Sequence, residues 1–222
     1  MAHLNLILDQ AADGVTNMSV DEALLEESVQ TKNENPVLRF YRFSVPTITV
    51  GYGMWRSNNF SLDFSIPVVR RISGGGVVKH SDDLIYALII PVSLLKPFGK
   101  VRESYRVIHA ALQNSLESFG IVTQLYEKCD GRGNSYCFDS PVLYDLMMGQ
   151  KKVAGAGQKR TRGYLLQQGS IAWNILKENS NDFSEALFQK AFAGRLADLF
   201  HISVKETLCD VEERKVFSHG YA

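Results

Sequence analysis

Residues 150–173 read QKKVAGAGQKRTRGYLLQQGSIAW. Two β-compatible runs, QKKVAGAG and YLLQQGSIAWNI, flank a basic, glycine-containing turn, which predicts a pair of strands joined as a hairpin. Outward from it, DLIYALIIPV (83–92) is a long apolar β run suited to the middle of a sheet. VLRFYRF (37–43) alternates apolar and charged residues. It is predicted as a half-buried strand with Leu38 and Phe40 opposite Arg39 and Tyr41. TITVGY, PVVRRI and IVTQLY read as further strands, because β-branched residues dominate them.

Three helices punctuate these strands. The first is predicted from about Ser19 to about Gln30, with Ser19 and Glu22 as a capping box. KNENP, ending in Pro36, breaks it. The second runs from Glu103 to Phe119, where Tyr105, Ile108, Leu112, Leu116 and Phe119 share a face and Gly120 supplies the stop. The third runs from Phe183 to Phe200, with Phe188, Phe192, Leu196 and Leu199 as core candidates. Strands and helices do not alternate regularly, so a doubly wound parallel sheet is disfavoured. The expected class is α+β: a mixed, mainly antiparallel sheet with helices packed on it.

Composition narrows the function. The chain has 222 residues, and 24 Lys and Arg balance 24 Asp and Glu, which argues against a globally basic nucleic-acid binder. At 45% hydrophobic and 22% charged it is an ordinary globular chain. No apolar run reaches the ~18 residues of a membrane span. The start, MAHLNLILDQAADG, lacks the basic and apolar regions of a secretory signal. Cys129, Cys137 and Cys209 make no disulfide framework, so a reducing, cytoplasmic setting is expected. No Cys or His pair has zinc-ligand spacing, so no metal site is expected.

Three segments carry candidate chemistry. In RRISGGGVVKH (70–80), Gly74, Gly75 and Gly76 follow a β run. Consecutive glycines are costly in regular structure, and a glycine turn can aim backbone N–H groups at an anion. Alternation sends Arg70 and Arg71 to opposite faces, so one can reach a bound carboxylate or phosphate. The plain alternative is a flexible turn beside a surface arginine pair. No Gly-Lys-Ser/Thr follows, and VVKH does not open a helix, so neither a Walker A loop nor a dinucleotide fingerprint is present. His80 reads equally as structural or catalytic.

The second segment, Gly149 to Gly163, holds Lys151, Lys152, Lys159, Arg160 and Arg162. It lies in a 32-residue stretch, Leu146 to Lys177, without an acidic residue. A solvated basic hairpin is the plain reading. Against it, Lys152 abuts the apolar Val153 and Ala154, and Gly155, Ala156 and Gly157 permit close approach to the backbone. A lysine held there could stabilise charge developing on an acyl oxygen. The third is Cys137 in NSYCFDSP, either an inert core thiol or a nucleophile activated by a cation such as Lys152.

At these residues the chain resembles the lipoate-protein ligase A family, within the superfamily of biotin and lipoate ligases and octanoyltransferases. RRISGGGVVKH is similar to its Arg-Arg-x-x-Gly-Gly-Gly-x-Val-x-His stretch. KKVAGAGQKRTRGYLLQQGSI is similar to its Lys-Ile-x-Gly-x-Ala-Gln-x-Arg motif and the strand after it. NMSVDEALL and LRFYRF…PTITVGY resemble its N-terminal region, and the similarity covers about residues 15–200 in order. Two departures stand out: Gln168 replaces the usual His before Gly-Ser, and Gly157 replaces the usual Ala.

The resemblance implies a class II synthetase/biotin-ligase-like catalytic domain. It implies that residues 1–222 form a single lipoate ligase/octanoyltransferase-type domain with no C-terminal accessory domain. Lys152 matches the lysine that contacts the activated acyl carbonyl. Arg71, Ser73, Gly74, Gly75, Gly76 and His80, with Gly155, Gln158, Gly169 and Ser170, match the lipoate and ATP site. The main expectation is a ligase that converts lipoate or octanoate with ATP and Mg2+ to an acyl-adenylate, without a tightly bound cofactor, and passes the acyl group to a lysine of a lipoyl domain. CFDSPVLYDLMMGQKKVAGAGQ also resembles cysteine-dependent octanoyl or lipoyl transferases, in which Cys137 would take the acyl group, without ATP, from an acyl carrier protein or from a lipoyl-protein thioester or amide donor. A third possibility is a non-catalytic acyl-binding relative. The implied partners are apo lipoyl domains of 2-oxo-acid dehydrogenases or the glycine-cleavage H protein, with a separate accessory subunit or an acyl carrier protein beside them. No nucleic acid and no membrane is expected.

Overall fold

A computed structural model describes residues 2–58, 65–128, 141–179 and 183–207. Among them the elements run β1 (His3–Leu8), α1 (Gly14–Thr31), β2 (Val37–Tyr41), β3 (Thr47–Val50), α2 (Tyr52–Ser57), β4 (Val68–Arg70), β5 (Val77–His80) and β6 (Leu84–Pro91). After a 3-10 stretch, Val92–Phe98, come α3 (Val101–Glu117), β7 (Gln124–Leu125), β8 (Leu146–Met148), β9 (Lys151–Thr161) and β10 (Tyr164–Ile171). The chain continues through α4 (Trp173–Lys177), α5 (Glu185–Phe200) and β11 (Ser203–Thr207). Eight strands form one sheet in the order β11-β1-β2-β6-β10-β9-β8-β7, and β4-β3-β5 form a second. The large sheet is parallel only across β11-β1-β2 and antiparallel beyond. The α+β expectation therefore holds.

The central strands bury both faces. In β6, Leu84, Tyr86, Leu88 and Ile90 join the cluster that holds the buried faces of α3 and α5, while Ile85, Ala87 and Ile89 join the α1 side. β2 divides likewise: Leu38 and Phe40 go one way, Val37 and Tyr41 the other. The half-buried strand read from VLRFYRF is thus corrected, since all five residues of β2 are buried. Arg39 is tolerated there because it is fully paired. It bonds Asp9 and Asp21, and its Nη1 and Nη2 donate to the Asn17 backbone oxygen and Oδ1. Its guanidinium also lies 4.1 Å from the Tyr41 ring centroid. A charge inside the fold persists only with such partners.

Several boundaries differ from the sequence reading. α1 begins at Gly14, not near Ser19, because Asp13 caps it and accepts from Thr16 N at 2.9 Å. A carboxylate at a helix start complements the unpaired N–H groups and the helix dipole. IVTQLY forms only the two-residue β7. Four strands lay outside the reading altogether: β1, β5, β8 and β11. β1 and β11 pair in parallel, His3 against Ser203 onward, so the two ends of the described chain share a sheet edge. Neither has a nearby partner in sequence, and β11 is mostly exposed, so no apolar alternation marks it. The hairpin of β9 and β10 forms as expected. Arg162 and Gly163 both take positive φ, 43° and 86°, as a two-residue hairpin turn requires.

Candidate active site

The hairpin is the floor of the site. In its register Gly157 faces Gln168 and Gly155 faces Ser170. These four positions therefore share one face of the sheet. Lys152 should point elsewhere by simple alternation, but the β8–β9 ladder slips: Leu146 pairs with Ala154 and Met147 with Lys152. The extra residue, Val153, makes a bulge, and a bulge re-aims the side chain beside it. Lys152 Nζ consequently lies 2.8 Å from where a Cβ on Gly155 would sit. With Lys152 in this position only glycine leaves room at 155. Lys152 is buried and pairs with Asp145 Oδ2 at 2.8 Å. The same Asp145 oxygen accepts from Val142 N at 2.7 Å, which fixes the carboxylate.

The triple-glycine loop roofs this floor. Gly74 N donates to Gln158 O at 3.1 Å, and a Cβ on Gly157 would overlap the Gly74 carbonyl. Gly157, the second departure from the family pattern, is thus the point where loop meets floor. Gly75 has φ 97°, open to glycine without strain. Arg71 is buried inside the loop. Its Nε and Nη2 donate to Gly74 O, Nη2 also to Gly76 O, and Nη1 to Thr49 O and Oγ1. These bonds use all five guanidinium N–H groups on protein oxygens. Arg71 therefore shapes the loop. Arg70, on the opposite face, lies 5.6 Å from the Tyr52 ring centroid, beside Lys159 at 5.2 Å.

His80 closes one side. Its Nε2 meets Thr49 Oγ1 at 2.9 Å and its Nδ1 meets Asp83 Oδ2 at 2.9 Å. Ser170 Oγ donates to the same Asp83 oxygen at 2.6 Å. The carboxylate accepts only, so Nδ1 carries the proton and the Thr49 hydroxyl donates to Nε2. Burial pushes the His80 imidazole below its ordinary value of 6.5, and burial does the same to His109, whose Nδ1 meets Tyr144 O. The folded chain keeps both rings neutral where the unfolded chain takes up protons. Their stabilising contribution is complete above about pH 6.5 and is lost as pH falls below it. The urea midpoint is expected to decline from pH 6.5 to about pH 5. His109→Asn, which retains a donor toward Tyr144 O, should reduce that slope; an unchanged slope would show that His109 is not responsible.

Loop and floor enclose a cavity of about 360 Å³. Of the residues expected from sequence, Arg71, Gly75, Gly76, His80, Lys152, Gly155, Gly169 and Ser170 line it. Ser73 and Gly74 sit in the loop behind them, and Ser73 Oγ is buried with no hydrogen-bond partner among the described residues. Gln158 is separated from the group. Its side chain bonds Gln167 and Ser104 on the α3 side of the sheet, and only its carbonyl, through Gly74, serves the site. Cys137, like Cys129 and Cys209, lies outside the described residues. Apolar walls come from Met18, Phe43, Met54 and Val78. Sequence reasoning missed Asp145, Thr49 and Asp83. Asp145 had one usable signal, an acidic residue just before the Gly149 turn that leads into Lys152.

The basic stretch is partly neutralised. Arg162 pairs with Glu26 at 2.6 Å and Arg160 donates to Ser104 Oγ at 2.8 Å. Among the described residues no helix is long and apolar enough to cross a membrane.

Comparisons with known proteins agree with this architecture. The chain is 33% identical over 183 residues to the octanoyltransferase LipM of Brevibacillus brevis, covering 77% of this chain and 66% of that one. It is 32% identical over 226 residues to octanoyltransferase LipM of Carboxydothermus hydrogenoformans, covering 94% and 82%. The fold is similar to that of Ta0514, a lipoate protein ligase homologue from T. acidophilum solved with bound lipoic acid. The TM-score is 0.74 at 21% identity, with 97% of this chain and 92% of that one covered. Residues 13–211 match the lipoyl protein ligase A/B catalytic domain, and with relatives above 30% identity along most of its length the chain belongs to that family.

Proposed function

We propose that the chain is a protein-lipoylation enzyme of the octanoyltransferase type, moving an octanoyl group from a carrier-protein thioester to a lysine of a lipoyl domain. The observation that carries this reading is Lys152, a buried ammonium held by Asp145 in the lining of a mainly apolar cavity under the triple-glycine loop. The LipM relatives support the transferase over the ligase expected from sequence. The chain acts as one catalytic domain, and the apolar walls take the acyl chain.

In the first half-reaction, the Cys137 thiolate attacks the thioester carbonyl, the C–S bond to the carrier breaks, and the carrier leaves as its thiolate. In the second, the target amine attacks the new thioester, releases a proton, and Cys137 departs as its thiol. Lys152 donates to the acyl oxygen in both, where negative charge develops. In the ligase alternative, ATP and Mg2+ would supply the activation as an acyl-adenylate of lipoate or octanoate, and Lys152 would hold the same oxygen. Lipoyl domains of 2-oxo-acid dehydrogenases or of the glycine-cleavage H protein are the acceptors in either case. Lys151 and Lys159 would steer an acidic acceptor toward the site.

One experiment separates the two chemistries. Purified protein receives apo lipoyl domain with either octanoyl carrier protein or lipoate, ATP and Mg2+. Modification with the carrier donor alone, abolished in Cys137→Ser, is the expected result. ATP-dependent modification that survives Cys137→Ser would overturn the transferase in favour of the ligase.

A further inference from the structure

We propose that the side-chain oxygen of Gln168 accepts a hydrogen bond from the attacking amine of the target lysine. The proposal rests on the acyl-transfer reading above. Gln168 is only 7% exposed and lines the cavity. Its Nε2 donates to Asp21 Oδ2 at 2.7 Å, with Met18 Sδ at 3.6 Å. Asp21 is itself held by Arg39 Nη1 at 2.7 Å and by the Tyr41 hydroxyl at 2.8 Å. A carboxylate accepts and cannot donate, so the NH2 end of the amide is committed to Asp21. The carbonyl end is left over. Gln168 Oε1 is buried and has no hydrogen-bond partner among the described residues. An orphaned buried acceptor is destabilising, and a ligand that supplies a donor relieves it.

The chemistry of the missing partner is narrow. Octanoyl and lipoyl chains carry no N–H or O–H, and a thioester carbonyl carries none. Two N–H groups of the substrates come near the acyl carbon during transfer: the target amine and the amide of the carrier's pantetheine arm. Placement favours the amine. Lys152 stands over the Gly155–Ser170 rung and Gln168 occupies the Gly157–Gln168 rung on the same face. Same-face positions two residues apart are about 7 Å apart along a strand. That spacing suits one tetrahedral carbon with its oxygen toward Lys152 and its entering nitrogen toward Gln168. The pantetheine amide is four bonds from that carbon. As the nitrogen lone pair forms the C–N bond, the C–S bond breaks, and the proton the amine gives up passes to the departing sulfur, which leaves as the thiol. Gln168 holds the amine in line and takes no proton.

Two variants test this. Gln168→Met is similar in length but has no carbonyl acceptor. Gln168→His can give one ring N–H to Asp21 and keep the other nitrogen as an acceptor. The protein is charged from octanoyl carrier protein, loading is followed by mass spectrometry, and apo lipoyl domain is then added. Gln168→Met is expected to load within about twofold of wild type but transfer about tenfold more slowly, and Gln168→His to recover most of the transfer rate. Transfer by Gln168→Met at the wild-type rate would overturn the proposal. So would a Gln168→His variant as slow as Gln168→Met. Slow loading from the carrier with normal loading from S-octanoyl thiophenol, which has no amide, would assign the oxygen to the pantetheine arm instead. A wild-type protein that neither loads nor transfers would sink the functional reading itself, and this proposal with it.

Discussion

Lys152→Ala is expected to lower acyl transfer by at least about 10²- to 10³-fold, the usual loss when a donor to a developing oxyanion is removed. The geometry makes the effect large. Lys152 reaches the cavity through a bulge and over a glycine, and it is fixed by a buried carboxylate at 2.8 Å. The same substitution strands Asp145 without its cation in a buried place, which alone can cost about 3–5 kcal/mol. Loss of activity could then reflect loss of fold. The double variant Lys152→Ala, Asp145→Ala removes both charges and is expected to regain stability while remaining inactive. Turnover measured beside urea unfolding separates the two effects. Normal turnover by Lys152→Ala would refute the site. Activity restored in the double variant would show that Lys152 serves only to neutralise Asp145.

The second large effect is remote from the acyl group. Arg39→Leu is expected to destabilise the chain by about 3–5 kcal/mol, because it leaves two buried carboxylates unpaired. Asp9 and Asp21 both bond the Arg39 guanidinium, and Asp21 also orients Gln168. Unfolding in urea is the measurement. Adding Asp21→Asn to Arg39→Leu should recover part of the loss, since one stranded charge is removed. A loss below about 1 kcal/mol for Arg39→Leu would mean that water reaches these carboxylates once the arginine is gone.

Legibility in the sequence followed the range of the interactions involved. The β9–β10 hairpin was legible because two extended runs meet at Arg162–Gly163, a turn whose chemistry is local. The second helix was legible because its apolar residues recur at helical spacing and Gly120 stops it. The start of α1 was misplaced because Ser19 and Glu22 make a plausible cap, whereas Asp13 makes the one formed. Arg39 shares with Tyr41 the face opposite Leu38 and Phe40, as alternation gives it, but the strand is buried on both faces and not half-buried. Alternation reports which residues share a face, and it cannot report that α1 covers the second face.

The candidate site divides the same way. Lys152, the glycines and His80 were visible as residue types with a chemical use. Their neighbours were not. Asp145 is seven residues before Lys152, yet the pair depends on a register slip at Val153. Gln158 and Gln168 looked alike in QKKVAGAGQKRTRGYLLQQGSI. Their side chains fall on opposite faces of one hairpin, so only Gln168 reaches the cavity.

The sequence by itself determined the three long helices, the hairpin, the glycine loop and the lysine of the site, since period, turn chemistry and residue type are written within a dozen positions. The tertiary structure alone decided that both sheet faces are buried, that β1 closes against β11, and that one face of the hairpin holds Lys152, Gly155, Gly157, Gln168 and Ser170 together. The physical reason is that a strand sends adjacent side chains to opposite sides. What each side meets is set by segments up to about two hundred residues away in the chain.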